Sequence, residues 1–225
     1  MAAYQWHALR RAALASGLCL FALMVLSLTT GANQQHFEQV MAPQVYAHDL
    51  LAQSSGLRWI IALDDVFIAC YMTVGILFAR QLGVGGARLD TTVNALRPWI
   101  VGMSVAAGVL DFLENHHILA MLHQAQTGGM PDYTELVLRE NLSAMKWLLG
   151  HTAFFLAGWC LPTHTIPLRL FQFALLFVQL PIGALTLTVQ DPAWAPVLNL
   201  MRLINVMTGF FLVAWLFPSP PTEPR

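Results

Sequence analysis

The sequence predicts an all-α protein, a polytopic membrane helical bundle with six transmembrane helices and both the N and C termini in the cytoplasm. Three observations lead to this fold class. First, 57% of the residues are hydrophobic and 10% are charged, whereas a soluble domain carries about 25% charged residues. Second, apolar windows of helical length recur along the chain. Third, basic residues cluster in alternate connections between these windows.

Each apolar window is close to the ~20 residues that a helix needs to cross a bilayer. The windows form a single predicted domain over residues 1–217, and the Pro-rich residues 218–225 are predicted to be a disordered tail. The predicted transmembrane helices cover residues 12–30, 57–80, 99–123, 141–160, 168–189 and 196–217.

The first window has the basic flank of a secretory signal, because Arg10 and Arg11 precede it. Its apolar run is longer than the roughly 7–15 residues of a signal core, so it is predicted to be a retained helix. It lacks a polar face. We therefore expect it to lie at the lipid-facing periphery of the bundle.

Two connections between the windows are long. Residues 33–56 carry Gln34, His36, Tyr46 and Asp49, and a short amphipathic piece lying on the outer surface is expected there. Residues 81–98 are rich in glycine, which favours a flexible link.

The orientation follows from the basic residues, which lie on the cytoplasmic side of bacterial inner-membrane proteins. With six spans, one side of the membrane receives most of them, and the opposite side is rich in acids. The sequence therefore predicts a multi-pass protein of the bacterial inner membrane with cytoplasmic termini. The basic residues of the predicted inner side are Arg10, Arg11, Arg80, Arg88, Arg97, Arg169 and Arg225.

The third predicted helix contains Asp-Phe-Leu-Glu-Asn-His-His at residues 111–117. A charged side chain at bilayer depth costs at least ~2.5–3.5 kcal/mol, so it is retained only when it is paired, hydrated or functional. Asp111, Glu114 and Asn115 are three and four residues apart and share one helical face. This motif is the strongest indication of a functional site in the sequence.

Polar residues on the other helices fall at a similar depth if each residue rises ~1.5 Å along its helix. Their coincidence predicts a charged pocket in the outer half of the membrane. Because buried charges need partners, Lys146 and Arg202 are each expected to pair with at least one acid. The predicted pocket residues are Asp64, Asp65, Asp111, Glu114, Asn115, Lys146, His151 and Arg202.

The D-x-x-E-N motif and a downstream lysine resemble a loose group of small, uncharacterised bacterial multi-pass membrane proteins. The matching positions are Asp111, Glu114, Asn115 and Lys146. The resemblance covers about the middle third of the chain, and it implies no known activity.

Three functions are compatible with these residues. The leading prediction is that the pocket binds or processes a polar or amphipathic small molecule, with proton coupling, because buried acids and imidazoles mark such sites. The first alternative is a metal-dependent intramembrane enzyme whose ligands are Glu114, His117 and His151, since E-x-x-H places a carboxylate and an imidazole on one face. The second alternative is a non-catalytic subunit of a larger membrane complex. A closed ion-pair network that only fixes helix packing would also account for the buried charges.

The expected partners are membrane lipids, a small-molecule ligand and other membrane proteins. A net charge of -1 and the lack of a basic patch argue against nucleic acid. Cys19, Cys70 and Cys160 show no C-x-x-C spacing, so no disulfide framework or thiolate site is predicted. No cofactor is expected apart from the divalent metal of the enzyme alternative.

Overall fold

The fold was determined from a computed structural model that describes residues 2–82, 91–161, 164–189 and 193–217, with side chains from Trp6 onward. These residues form helices and no strand, so the predicted all-α class is confirmed. The tail predicted at residues 218–225 and residues 83–90 of the glycine-rich link lie outside the described residues. Residues 91–98 of the predicted link belong to a helix, so the link is shorter than expected. The helices are α1 (Ala2–Thr30), α2 (Pro43–Ala52), α3 (Ser54–Gln81), α4 (Thr91–Gln126), α5 (Tyr133–Trp159), α6 (Ile166–Ala174), α7 (Leu180–Thr188) and α8 (Ala195–Leu216).

Within the part of the chain that the structure describes, five helical segments are long and apolar enough to cross a membrane, which supports a polytopic membrane protein. Helices α6 and α7 act as one such segment because a π-helical turn, Leu175–Gln179, joins them. The five segments are Trp6–Thr30, Ser54–Gln81, Thr91–Gln126, Ile166–Thr188 and Ala195–Leu216.

Helix α5 contains most of the fourth predicted span but is not among these five segments. With 27 residues, α5 is long enough to cross a membrane. It differs from the five segments in its composition. Lys146 and His151 lie in its middle, and Arg139, Glu140 and Asn141 lie in its first half. The hydropathy of α5 is low because it carries a large share of the polar side chains that face the centre of the bundle.

The long helices pack in a ring that follows the chain order. Helix α1 packs on α3, α3 on α4, α4 on α5, and α5 on the π turn and α7. The ring closes because α8 packs on both α7 and α1. Side chains from all these elements line one central cavity.

Helix α1 is part of this ring and also presents an exposed apolar face that includes Leu18, Phe21 and Leu28, so its outward position is as predicted but its close packing on α3 and α8 was not expected. Leu9, Ala13 and Leu20 are buried against neighbouring helices, and Gly17 lies against the ring of Phe211 on α8. An apolar helix packs on other helices as readily as on lipid tails. Hydropathy therefore could not distinguish the two environments.

The fifth predicted span is divided by the π turn. Pro181 follows this turn and has no amide hydrogen to donate to the preceding turn of helix. A π turn is one of the ways in which a helix accommodates such a defect, and it redirects nearby side chains. Gln179, the last residue of the turn, is buried and lines the cavity.

The connection 33–56 folds as a cap over one end of the bundle. A 3₁₀ turn, Gln34–Glu38, precedes α2, so the predicted short helical piece is present. It packs on the protein's own apolar residues, because Phe37, Tyr46 and Leu50 are fully buried. Their partners are Leu57, Ile61, Ile118, Met121, Leu122 and Leu136 of α3, α4 and α5.

The opposite end of the bundle is filled by aromatic packing. The ring of Phe217 stacks on Trp6 with centroids 5.7 Å apart and meets the edge of Phe78 at 5.3 Å. These residues join the ends of α1, α3 and α8. The cavity is therefore covered by a folded cap at one end and by an apolar core at the other.

The contact between α3 and α4 gives a first prediction. A Cβ atom added at Gly75 would lie 2.5 Å from Oγ and 2.6 Å from Cβ of Ser104. Gly75→Val should therefore force the two helices apart and destabilise the fold by about 1–3 kcal/mol, as overpacking does elsewhere. Gly102→Val on α4 is the matched control, because its added Cβ meets no atom within 4 Å. The measurement is thermal unfolding in nonionic detergent, and equal melting temperatures would contradict the close contact.

Candidate functional site

The candidate site is centred on the ammonium group of Lys146, which is buried in the middle of α5. Its Nζ lies 2.8 Å from Oδ1 of Asp111 and 2.5 Å from Oε2 of Glu114, both on α4. A third carboxylate, that of Glu38, places Oε1 at 3.3 Å. The predicted pairing of Lys146 with the acids of the D-x-x-E-N motif is therefore confirmed.

Glu38 comes from the cap and was not predicted as a site residue. It is the last residue of the 3₁₀ turn, and its Oε2 accepts hydrogen bonds from Ser143 Oγ and Trp147 Nε1, each at 3.0 Å. Burial by itself would raise the pKa of Glu38, but the charges of Lys146 and Arg202 and these hydrogen bonds lower it below the usual value. The cap thus supplies an ionised carboxylate to the centre of the bundle.

Asp64, Asp65 and Asn115 form an adjacent layer without a cation. The Asn115 amide nitrogen donates to Asp64 Oδ2 and to Asp65 Oδ1, both at 2.9 Å. Gln34 of the cap donates to Asp64 at 3.1 Å and to the Asn115 amide oxygen at 2.6 Å. Side-chain amides therefore bind these two acids to each other and to the cap.

The remaining oxygens of Asp111 and Glu114 also have neighbours. Tyr71 donates its hydroxyl to Asp111 Oδ2 at 3.0 Å. Arg139, which is fully buried, places Nη1 3.7 Å from Glu114 Oε1 and donates from Nη2 to the backbone oxygen of Gln39. Arg139 thus connects the acid cluster to the cap.

Arg202 reaches the same region from α8 but does not form the predicted ion pair. Among the described residues, no carboxylate oxygen lies within 4.0 Å of its nitrogens. Its guanidinium instead stacks on the indole of Trp147, with Cζ 3.6 Å from the ring centroid. The planar cation therefore interacts with an aromatic face, and the acids are bound by Lys146, Arg139 and neutral donors.

His151 lies one turn beyond Trp147 and is also buried. The Gln179 amide nitrogen lies 3.0 Å from His151 Nδ1, and the Gln179 amide oxygen accepts a hydrogen bond from Asn205. Gly183 of α7 packs against the imidazole, and an added Cβ there would overlap it. This chain of contacts joins α5, the π turn and α8.

The three predicted metal ligands are separated. Glu114 faces Lys146 and Arg139, and His151 faces Gln179. His117 Nε2 instead lies 2.7 Å from Oε1 of Glu135, in the first turn of α5. Within the described ranges, no group of three His, Cys, Asp or Glu side chains is arranged to hold a metal ion. Metal binding at these residues stays a prediction.

The cavity beside the cluster has a volume of about 1200 Å³. Asp64, Asp111, Lys146, His151 and Arg202 of the predicted pocket line it, whereas Asp65, Glu114 and Asn115 do not. The rest of the wall is largely apolar. Its apolar residues include Leu20, Leu23, Met24, Ile60, Phe67, Phe154, Phe171, Leu175, Leu203 and Phe210.

The predicted site did not include Glu38, Gln34, Arg139 or Tyr71. Glu38 and Gln34 belong to a connection, and nothing in their local pattern distinguishes a loop residue that inserts from one that faces water. Arg139 offered a weak signal, because it is a rare basic residue on the predicted outer side. Because Arg139 precedes an apolar run, its position indicated the start of a transmembrane helix and not a buried site.

Comparison with known proteins adds no assignment. No family model matches the chain, and neither the curated proteins nor the solved structures contain a significant match. The functional interpretation therefore depends on the geometry of the site.

The site predicts that Lys146 stabilises the fold. Lys146→Met keeps a side chain of similar length but leaves Glu38, Asp111 and Glu114 without the shared cation. Removing one partner from a buried charge network costs about 3–5 kcal/mol, so a large fall in melting temperature is expected in nonionic detergent. Arg58→Met is the control, because Arg58 is exposed and its side-chain hydrogen bond among the described residues is to Gln126, and exposed contacts of this kind contribute about 0–1 kcal/mol. Equal losses in the two variants would show that Lys146 does not organise the cluster.

Proposed function

We propose that this chain is a six-span protein of the bacterial inner membrane, with cytoplasmic termini, that binds a polar or amphipathic small molecule in its central cavity. The observation that carries the proposal is the two-part wall of the cavity. One part is a charged cluster around Lys146, and the other is a broad apolar surface. A molecule with a polar head and an apolar chain matches both parts.

The place of α5 in the ring supports six spans. It lies between α4 and α7, and its polar residues face the cavity, where a membrane protein tolerates ionisable groups. Exposed tryptophans also fall at both ends of the long helices, as interfacial anchors do. Trp59 and Trp194 lie at the end that carries the cap, and Trp99, Trp159 and Trp215 lie at the other.

The basic residues support the orientation. Arg10 and Arg11 of α1, Arg80 of α3 and Arg97 of α4 all lie toward the end opposite the cap. The positive-inside rule then assigns the capped end to the outer side. The charged cluster consequently lies in the outer half of the membrane.

Proton coupling is included in the proposal because the cluster has more acids than cations. Glu38, Asp64, Asp65, Asp111 and Glu114 share the region with Arg139, Lys146 and Arg202. An excess of acids inside a bundle is typical of sites that exchange protons when a ligand binds.

The topology is tested with reporter fusions. Green fluorescent protein at the C terminus should fluoresce, and alkaline phosphatase inserted after Gly128, in the turn between α4 and α5, should be active, because each reporter then lies on its permissive side of the membrane. A chain in which α5 does not cross the membrane would reverse the side of the C terminus. The six-span topology would therefore be overturned if green fluorescent protein at the C terminus is dark and alkaline phosphatase fused at the C terminus is active.

Ligand binding is tested by filling the cavity. Gly209 lines it, and an added Cβ there meets no atom within 4 Å. Gly209→Phe should keep the fold but weaken binding of monooleoylglycerol by about tenfold or more, because the ring occupies the space of the acyl chain. Gly102→Phe is the matched control, since Gly102 also faces open space but does not line the cavity. Native mass spectrometry of protein from nonionic micelles gives the affinities, and equal binding to both variants would exclude this cavity.

A further inference from the structure

We infer that Arg202 binds an oxyanion, such as a phosphate or carboxylate group, on the ligand that enters the cavity. The inference rests on the function proposed above and names the chemical class of its ligand. It begins from the one charged side chain in the described cavity wall whose hydrogen-bonding capacity is unused. Arg202 is 4% exposed and lines the cavity, and its Nε is sealed without a partner.

The acids near Arg202 are already bound to other groups. Both oxygens of Glu38 are engaged, one by Lys146 and the other by Ser143 and Trp147. Glu114 faces Lys146 and Arg139. None of the described carboxylates therefore lies within 4.0 Å of the Arg202 nitrogens, and Glu38 interacts with Arg202 only across a longer distance.

The stacking on Trp147 fixes how the guanidinium is presented. One face of the planar cation covers the indole at 3.6 Å, and the indole is itself fixed by its hydrogen bond to Glu38. Stacking uses no N–H donor, so the in-plane donors of the guanidinium keep the fork geometry that matches an oxyanion. A buried cation without an anion in direct contact is costly, and a bound oxyanion would lower this cost.

A neighbouring side chain adds a donor. Asn199 lies one turn before Arg202 on α8, lines the cavity, and makes no side-chain hydrogen bond to another described residue. Asn199 and Arg202 therefore place unused polar donors on one face of α8. The open donors of Arg202 and Asn199, beside the occupied oxygens of Glu38, favour an anion at this part of the wall.

The rim of the cavity indicates how an amphiphile would enter. Leu28 of α1, Leu187 of α7 and Leu200 of α8 line the cavity, and they are 84%, 36% and 48% exposed. Exposed leucines at an opening suit an acyl chain arriving from the bilayer, whereas a free anion would need no apolar rim. The same oxyanion chemistry can nevertheless come from an anionic amphiphile or from a small soluble anion, and these sources give different results in the test below.

The test uses the full chain in nonionic detergent and four probes. Oleoyl lysophosphatidic acid and monooleoylglycerol share one acyl chain and differ in the phosphate. Oleylamine carries a cationic head on a similar chain, and inorganic phosphate has no chain. We expect lysophosphatidic acid to bind about tenfold or more tightly than monooleoylglycerol, because bidentate binding of an oxyanion by arginine is strong. Oleylamine should bind no more tightly than monooleoylglycerol.

Variants of Arg202 connect this preference to the guanidinium. Arg202→Gln should bring the affinity for lysophosphatidic acid down to that for monooleoylglycerol, and Arg202→Lys should keep part of the preference because it keeps the charge. Arg58→Gln, which removes an exposed arginine outside the cavity, should bind as the unaltered chain does. Monooleoylglycerol affinity reports whether each variant still folds its cavity.

The outcomes separate this inference from the proposed function. Equal affinity for lysophosphatidic acid and monooleoylglycerol would overturn the oxyanion site and leave the proposed function standing, and tighter binding of oleylamine would do the same. Failure of all three amphiphiles would overturn the proposed function. Inorganic phosphate that binds as tightly as lysophosphatidic acid, and only when Arg202 is present, would support the oxyanion site and identify the source as a soluble anion.

Discussion

The structure depends on one ammonium group, that of Lys146, which three carboxylates share inside an apolar bundle. A lone charge at this depth would be costly, and so would each acid without its cation. The contacts therefore stabilise the structure only when all the elements that supply them are in place. They join α5 to α4 through Asp111 and Glu114, and to the cap through Glu38, so the position of the cap and the register of the two helices are set together.

The cavity exists because this network occupies one side of the bundle interior. Side chains that would otherwise fill the centre are drawn into contacts between helices, as Asn115 is by Asp64 and Asp65, and as Gln179 is by His151. Apolar packing then closes the end opposite the cap, where Trp6 and Phe217 stack. What remains between the charged wall and the apolar wall is the cavity that we propose as the binding site, with Arg202 as the cation that no described acid contacts directly.

Much of the site was predictable from the sequence, and the rest was not, for a physical reason. Asp111, Glu114 and Asn115 share a helical face, and a carboxylate within an apolar run has few compatible environments, so their approach to Lys146 could be expected. Arg202 was likewise expected to pair with an acid. Its guanidinium interacts with the aromatic face of Trp147 instead, since cation–π stacking also accommodates a buried guanidinium. The packing of α1 on α3 and α8 could not be predicted, because apolar residues suit both lipid and protein neighbours.

By itself, the sequence determined the all-α membrane class, the approximate helices and the acids that must be buried, since hydropathy and helical periodicity are local properties of the chain. Only the tertiary structure decided that Gln34 and Glu38 leave the connection to enter the cluster, that Arg139 is sealed beside Glu114, and that α1 closes the ring. These are contacts between residues far apart in the chain: Glu38 and Lys146 are 108 positions apart, and α1 and α8 are the first and the last of the helices. No local sequence pattern predicts these contacts, because each depends on the positions of charged residues on other helices in the folded bundle.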